Sequence, residues 1–349
     1  MKTQKSEIRN QVLEYVGRMS GLSSKEIFEG IDFGLSYATT KRILQSLAEE
    51  KVIYVSGRGK GTKYHLDKDF KLISPIDMGV YFSKEADERE IIPTFNFALL
   101  DKIEACTSIF LDAEIAKLEK LQNEHRQRIE KLSEWDYRKE MERLAIDLSW
   151  KSSQIEGNTY SLLETERLLK EKTTAEGKTK DEAVMLLNHK EAIDFIFDHP
   201  DYVNPMTVKA IEDIHGLLIK ELGVPKNIRN HRIGITGTNY YPLDNDFQIK
   251  EALLKMCHVI EGRSNVWERA LLLLLILSYI QPFSDGNKRT SRILSNAILM
   301  REGVCPLSFR TVDSIEYKKA MLIFYEQNNL SAFKQIFLDQ FEFAVKRYF

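Results

Sequence analysis

Apolar residues recur at helical spacing along most of the chain, and one run has no polar face at all. Ile8, Val12, Leu13 and Val16 form one stripe, and Ala38, Ile43, Leu44 and Leu47 form another, each the mark of an amphipathic helix. Between them, Ser23-Ser24-Lys25-Glu26 is a capping box that opens a short helix with Ile27 and Ile31 turned inward, followed by a turn at Gly34. Lys51 to Ser56 and Lys63 to Leu66 read as strands, joined by Gly57-Arg58-Gly59-Lys60-Gly61. Leu111, Ile115, Leu118, Ile129 and Leu132 make a narrow stripe on a long charged helix, which suits packing on a body better than a coiled coil. Ala270 to Leu277 is apolar at every position and predicts a helix buried on all sides. Ile293, Leu294, Ala297 and Ile298 place another helix after it. Ser161 with Glu164, and Asp313 with Glu316, cap further helices, and Asn204-Pro205 is expected to cap and start one more. The stretch Gly223 to Pro242 breaks the helical period: Ile233 and Ile235 alternate with small residues between glycines, which predicts a β-hairpin.

The chain is therefore expected to be mainly α, in three parts. Residues 1–66 run helix, helix, helix, hairpin, an order that resembles a winged helix-turn-helix. Residues 67–100, interrupted around Ile76 to Val80 and at Ile91-Ile92-Pro93, read as a connector, and residues 101–349 as a helical body. The third helix offers Ser36, Tyr37, Thr39, Thr40, Lys41 and Gln45 as a polar face, types able to meet phosphates and base edges. Residues 1–66 hold 11 Lys and Arg against 7 Asp and Glu, net +4 in a chain whose total is −2. Duplex DNA is thus the expected partner of this part, with Lys41, Arg42, Arg58 and Lys60 on phosphates. A wing used for dimerisation or docking is the competing reading.

Bulk composition is that of an ordinary soluble protein, 43% hydrophobic and 29% charged. Three scattered cysteines suit a reducing cytoplasm. The first residues have no apolar signal core, and the longest apolar run is far short of the ~18–20 residues of a membrane span. No membrane association is expected.

The chemistry concentrates in residues 281–292, Gln-Pro-Phe-Ser-Asp-Gly-Asn-Lys-Arg-Thr-Ser-Arg. Gly286-Asn287 suits a tight turn, and Lys288, Arg289 and Arg292 supply cations at the start of a helix, with Arg289 and Arg292 on one face. A polar loop that ends in helix-start amides and arginines is a site for a polyphosphate, and Asp285 is placed to hold a divalent metal. These residues resemble the signature of the Fic family, His-x-Phe-x-(Asp/Glu)-Gly-Asn-(Gly/Lys)-Arg-x-x-Arg. Phe283, Asp285, Gly286, Asn287, Arg289 and Arg292 match in register, and Gln281 stands where the family has its catalytic His. Upstream, Ser152 to Asn158 resembles the family's inhibitory motif, (Ser/Thr)-x-x-x-Glu-(Gly/Asn), with Glu156 as its glutamate.

The resemblance implies a Fic-type helical bundle over about residues 101–349. It would have an inhibitory helix at about 140–157, a β-hairpin flap at about 229–242 and the active loop at 281–292, with a small α/β winged-helix domain ahead of it. It implies transfer of AMP from ATP to a hydroxyl of an unknown protein target. Asp285 would hold Mg²⁺, and Gly286, Asn287, Lys288 and Arg289 would cradle phosphates. Arg292 would grip the γ-phosphate unless Glu156 occupies it, and Thr238, Tyr240 and Tyr241 of the flap would lie near nucleotide or target. A homodimer is admitted. Gln281 leaves several outcomes open, because a glutamine amide has no useful basicity. These are slow AMP transfer by positioning alone, recruitment of another base such as His231, a non-catalytic nucleotide sensor attached to a DNA-binding regulator, or AMP removal with Glu156 as base. Lys288 also resembles the branch of the family that transfers phosphate.

Overall fold

The computed structural model describes residues 8–349 apart from 10, 14, 18, 20, 32–35, 50–51 and 68–69. The turn at Gly34 and the strand start at Lys51 lie outside the described residues. The chain divides into two compact units, Met1–Ile76 and Asp77–Phe349.

In the first unit, helical residues within 8–17 precede α1 (Ser24–Gly30) and α2 (Tyr37–Glu49). The capping box forms as the sequence requires: Ser23 Oγ accepts from the Glu26 amide, and Glu26 accepts from the Ser23 amide at 2.7 Å. Strands β1 (Ile53–Ser56) and β2 (Lys63–Leu66) pair antiparallel, with Ile53 opposite Leu66 and Ser56 opposite Lys63. Gly57, at φ +75°, makes the turn between them. A Cβ there would collide with the carbonyl of Gly61, so the loop requires glycine. Val12, Leu13, Val16, Ile27, Leu44, Leu47, Val52 and Ile53 form one buried cluster. Two residues depart from the pattern on α2. Ala38 is exposed, and Thr40, expected on the polar face, is buried with its hydroxyl donated to the Ser36 carbonyl. Thr40 is therefore withdrawn from any partner.

The second unit is helical: α3 (Phe97–Ala105), α4 (Asp112–Ile129), α5 (Glu134–Ile155), α6 (Leu162–Glu171), α7 (Lys180–Asp198), α8 (Val208–Leu218), α9 (Asp246–Glu261), α10 (Val266–Ile280), α11 (Asn287–Arg301), α12 (Ser314–Gln327) and α13 (Ser331–Tyr348). Every residue from Ala270 to Ile280 is buried. An apolar helix with no polar face can only be the centre of a bundle, and α10 packs against α9, α11 and α12. Asn265 caps α10 through the Trp267 and Glu268 amides. Pro205 does not start α8. Thr207 caps it instead, accepting from the Ala210 amide, because a Thr hydroxyl satisfies an orphan amide that a proline only avoids.

Residues 77–96, expected as part of a connector, are tied into this bundle. The Ile92 amide donates to the Glu326 carbonyl, the Asn96 amide to the Tyr279 hydroxyl, and Tyr81 Oη to Glu326 Oε2 at 2.5 Å. The segment predicted as a hairpin turns back at Thr236-Gly237, with no strand pairing among its described residues. Tyr241 instead forms a single parallel bridge with Thr94. Alternation of two isoleucines fixed an extended course there but not a partner strand. Among the described residues no helix is long and apolar enough to cross a membrane.

Candidate active site

The loop from Gln281 to Gly286 links the central helix α10 to α11. Gln281 ends α10 in the left-handed region at φ +51°, and Gly286 opens α11 at φ +81°. Gly286 has no side chain to cap the helix, so the first amides of α11 stay available to a ligand. A Cβ on Gly286 would lie 3.3 Å from both His215 and Ile219. His215 is stacked on Phe283, ring centroids 3.6 Å apart, and its Nε2 donates to the Asp285 carbonyl at 3.0 Å. Burial pushes its pKa down to about 4, so it braces the loop as a neutral ring.

A cleft of about 350 Å³ opens above this loop. Gln281, Asp285, Gly286, Asn287, Lys288 and Arg289 line its floor, and Glu156 closes one side. Ile233 to Thr236 and residues of α12, among them Tyr317 and Tyr325, form the rest of the wall. Arg289 is 1% exposed; its Nη2 donates to Asp285 Oδ2 at 2.7 Å, while Nε and Nη1 are buried with no hydrogen-bond partner. Burial lowers its pKa, partly offset by Asp285. Unmet guanidinium donors in a polar cleft at a helix start call for an anion.

Glu156 fills part of that demand. Arg292, fully buried, donates from Nη2 to Glu156 Oε1 at 2.8 Å, and Lys288 Nζ lies 3.4 Å from Glu156 Oε2. Burial alone would raise the carboxyl pKa, but Arg292, Lys288 and Arg289 together hold it down at about 2. Helix α5 ends at Ile155, and Gly157 takes φ +100°, so the chain turns sharply and leaves Glu156 at the corner. Ser152, one turn earlier, grips the same arginine: Arg292 Nε donates to its hydroxyl at 2.8 Å and Nη2 to its carbonyl at 3.0 Å. The hydroxyl in turn faces His189 Nε2 at 2.7 Å. His189 is neutral there, held well below its usual pKa by burial and then by Arg292. No spacing in the sequence links His189 to this site.

Several expected site residues sit otherwise. Asn287 turns inward: its Oδ1 accepts from the Phe283 amide, and Nδ2 donates to the Phe283 carbonyl and to Gln281 Oε1. Its side-chain amide staples the loop. Gln281 is likewise committed. Besides accepting from Asn287 at 2.9 Å, it donates to the Ser278 carbonyl at 2.7 Å and to the Tyr325 hydroxyl at 3.4 Å. Tyr240 is buried, stacked on Tyr279 with its hydroxyl on the Tyr279 carbonyl, and so is core rather than a target contact. Thr238 accepts from the Tyr240 amide, and Tyr241 lies exposed under Arg232 at 3.8 Å. None of these three lines the cleft, whose wall is Ile233 to Thr236 instead. His231 is exposed and does not line it either. In the first unit Lys41, Arg42, Arg58 and Lys60 are all exposed.

Comparison with known proteins matches the central part of the second unit. Residues 205–299 fit the model of the Fic/DOC family. A protein adenylyltransferase Fic of Culex quinquefasciatus is 31% identical over 166 residues, 44% of this chain and 31% of that protein. One of Nematostella vectensis is 31% identical over 183 residues, 48% of this chain and 40% of that protein. The chain thus spans about a third of the length of the curated relatives it matches. Among solved structures, Fic-1 (residues 134–508) of C. elegans superposes with a TM-score of 0.58 at 20% identity, covering 68% of this chain and 72% of that one. A Fic domain containing signaling protein of Bacteroides thetaiotaomicron superposes with a TM-score of 0.56 at 17% identity, covering 66% and 94%.

Proposed function

We propose, from the fit of residues 205–299 to the Fic/DOC family model, an ATP-binding, protein adenylyltransferase-like activity that Glu156 holds off and Gln281 slows. The observation that carries this reading is the Glu156 carboxylate seated between Arg292 and Lys288, beside an arginine whose remaining donors are unmet. A carboxylate there stands in for a phosphate. ATP would present its phosphates to the amides that open α11, to the free nitrogens of Arg289, and to Arg292 once Glu156 leaves. Asp285 fits a magnesium ion: its carboxylate is 62% exposed and lines the cleft, and Mg²⁺ is commonly held by one or two carboxylates plus substrate phosphates. When bound, the ion would neutralise phosphate charge. Among the described residues no three His, Cys, Asp or Glu side chains are grouped for a metal without a ligand.

Transfer would join a protein hydroxyl oxygen to the α-phosphorus and release pyrophosphate. The hydroxyl proton needs an acceptor, and the Gln281 amide, already accepting from Asn287 and without useful basicity, would not take it, so the proton would pass to solvent. Loss of a general base costs about 10²–10⁴ in rate, leaving positioning and charge to carry a slow reaction. Glu156 would be a weak base while its pKa is held near 2, which disfavours AMP removal by this conformation. The test is labelling from α-labelled and γ-labelled ATP in parallel, with the native chain, Gln281→His, Glu156→Gly and the double variant. Label from the α position, strongest in the double variant, is expected. Label from the γ position alone would replace AMP transfer by phosphate transfer, and none from either, with a target present, would leave a nucleotide sensor.

A second reading concerns the first unit. Lys41 and Arg42 on α2, and Arg58 and Lys60 on the glycine loop between β1 and β2, are exposed cations on the two elements that a winged helix-turn-helix turns to DNA. That supports duplex DNA as a partner and a regulator's role for the chain.

A further inference from the structure

The wall of the cleft formed by Ile233 to Thr236 belongs to a segment without strand pairing, so its place is set by what holds its two ends. At its start, the Arg229 amide donates to the Pro282 carbonyl and Arg229 Nε to the Gln281 carbonyl, at 3.0 and 2.7 Å. At its far end the holder is residues 85–94. Arg89 Nη2 donates to the Gly237 carbonyl at 2.5 Å, Asn239 Nδ2 donates to Asp87 Oδ1 at 2.7 Å, and the Tyr241 amide donates to the Pro93 carbonyl at 2.8 Å. Arg89 is the junction of this strap. Its guanidinium also pairs with Glu326 at 3.2 Å and lies over the rings of Tyr81 and Phe82. The arginine side chain is 5% exposed and the glutamate fully buried. Glu326 follows Tyr325, which lines the cleft and touches Gln281. One buried cation thus ties the turn of the cleft wall to α12, whose residues also line the cleft.

We infer that Arg89 is a positioning residue for the nucleotide cleft: it sets the separation of the 233–236 wall from α12 and holds that wall ready for ligand. The contact with the Gly237 carbonyl acts on the backbone of the loop, so side-chain variation along residues 233–236 leaves it intact. An isolated buried charge would not survive there. Glu326 compensates the charge of Arg89 and the Tyr81 hydroxyl adds a hydrogen bond to the carboxylate, while Arg89 Nε and Glu326 Oε1 have no hydrogen-bond partner of their own. Preorganised walls bind more tightly because less ordering remains to be done on binding.

The inference rests on the reading of the cleft as an ATP site, and the experiment separates the two. Amide hydrogen exchange over residues 232–241 is followed without nucleotide, and MgATP affinity is measured by calorimetry in the Glu156→Gly background. Arg89→Met is expected to speed exchange in 232–241 and to weaken MgATP roughly tenfold, with Arg89→Lys recovering part of both. Because Arg89→Met leaves Glu326 as a lone buried charge, the neutral pair Arg89→Met with Glu326→Gln is the second variant, expected to give the same two changes in a folded protein. Unchanged exchange over 232–241 in the neutral pair overturns the inference. So does faster exchange with unchanged affinity. If Glu156→Gly itself binds no MgATP, the nucleotide reading falls while the exchange arm still judges the strap.

Discussion

At the scale of single residues the site is a contest for cations. Glu156 pairs with Arg292 and Lys288, and removing it should do two opposite things. Glu156→Gly frees Arg292 for a phosphate, and a charge-assisted hydrogen bond contributes about 1.5–3 kcal/mol, so MgATP affinity by calorimetry is expected to rise by roughly tenfold or more. Equal affinities would remove Glu156 from the inhibitory role. The same loss leaves Arg292 buried with its charge less well paired, so the nucleotide-free protein should melt lower. The pH dependence has a definite sign. The folded-state pKa of Glu156, about 2, lies below the ordinary 4.5, so its contribution is present above the ordinary value and is lost as pH falls from there toward 2. The difference in melting temperature between the native chain and Glu156→Gln should hold steady from about pH 5.5 to 8 and shrink on acidification below about pH 4.5. A difference that grew with acid would contradict the pairing. Glu156 and Arg292 were legible in the sequence through their motifs. Arg89 with Glu326, and Ser152 with His189, were not, since each contact joins distant positions whose local pattern carries no mark of the other.

At the scale of elements, local chemistry was read well wherever it closes within a few residues. Ser23, Ser161 and Asp313 cap helices as their sequences require, each accepting from an amide two or three residues on. The apolar run of α10 is buried throughout because no other place accepts it. Tyr240 was misplaced because its hydroxyl reaches the Tyr279 carbonyl, a distant position that sequence spacing does not reveal, whereas Thr40 is an exception to the local rule: it turns inward and bonds the Ser36 carbonyl one helical turn back. The phosphate site proposed above depends on the start of α11. Gly286→Ala imposes a left-handed conformation on a residue with a Cβ, at a cost of roughly 1–2 kcal/mol, and crowds His215 and Ile219. It should lower the melting temperature by a few degrees and weaken nucleotide binding in the Glu156→Gly background. Unaltered binding there would mean that the opening amides of α11 do not hold the phosphates.

At the scale of the whole molecule, a basic unit of residues 1–76 precedes a helical body, and the boundary falls at Ile76, ten residues beyond the end of the expected winged module. The sequence marked the hairpin's end; it did not mark the following turns, which carry little periodicity. If the first unit binds duplex DNA, affinity must fall steeply with salt, because phosphate contacts release counterions. A salt titration of the full chain should give a log–log slope that flattens by about 2 when Arg58 and Lys60 are both neutralised. Tyr37 and Gln45, exposed on α2, should alter sequence preference instead. No binding above background at about 50 mM salt over a range of duplexes would make the basic loop a protein-docking element.

Glu156 and the arginine it occupies lie on one polypeptide, and this sets the kind of response the protein can give. An inhibitor supplied by a second molecule is relieved by dilution; a tethered one is not, since its local concentration is fixed by the fold, on the order of millimolar or higher for short tethers. If Glu156 has the inhibitory role proposed above, the chain carries a constant competitor that nucleotide would have to outcompete at every protein concentration alike. Occupancy would then report the level of nucleotide against an internal threshold, indifferent to how much of the protein the cell has made.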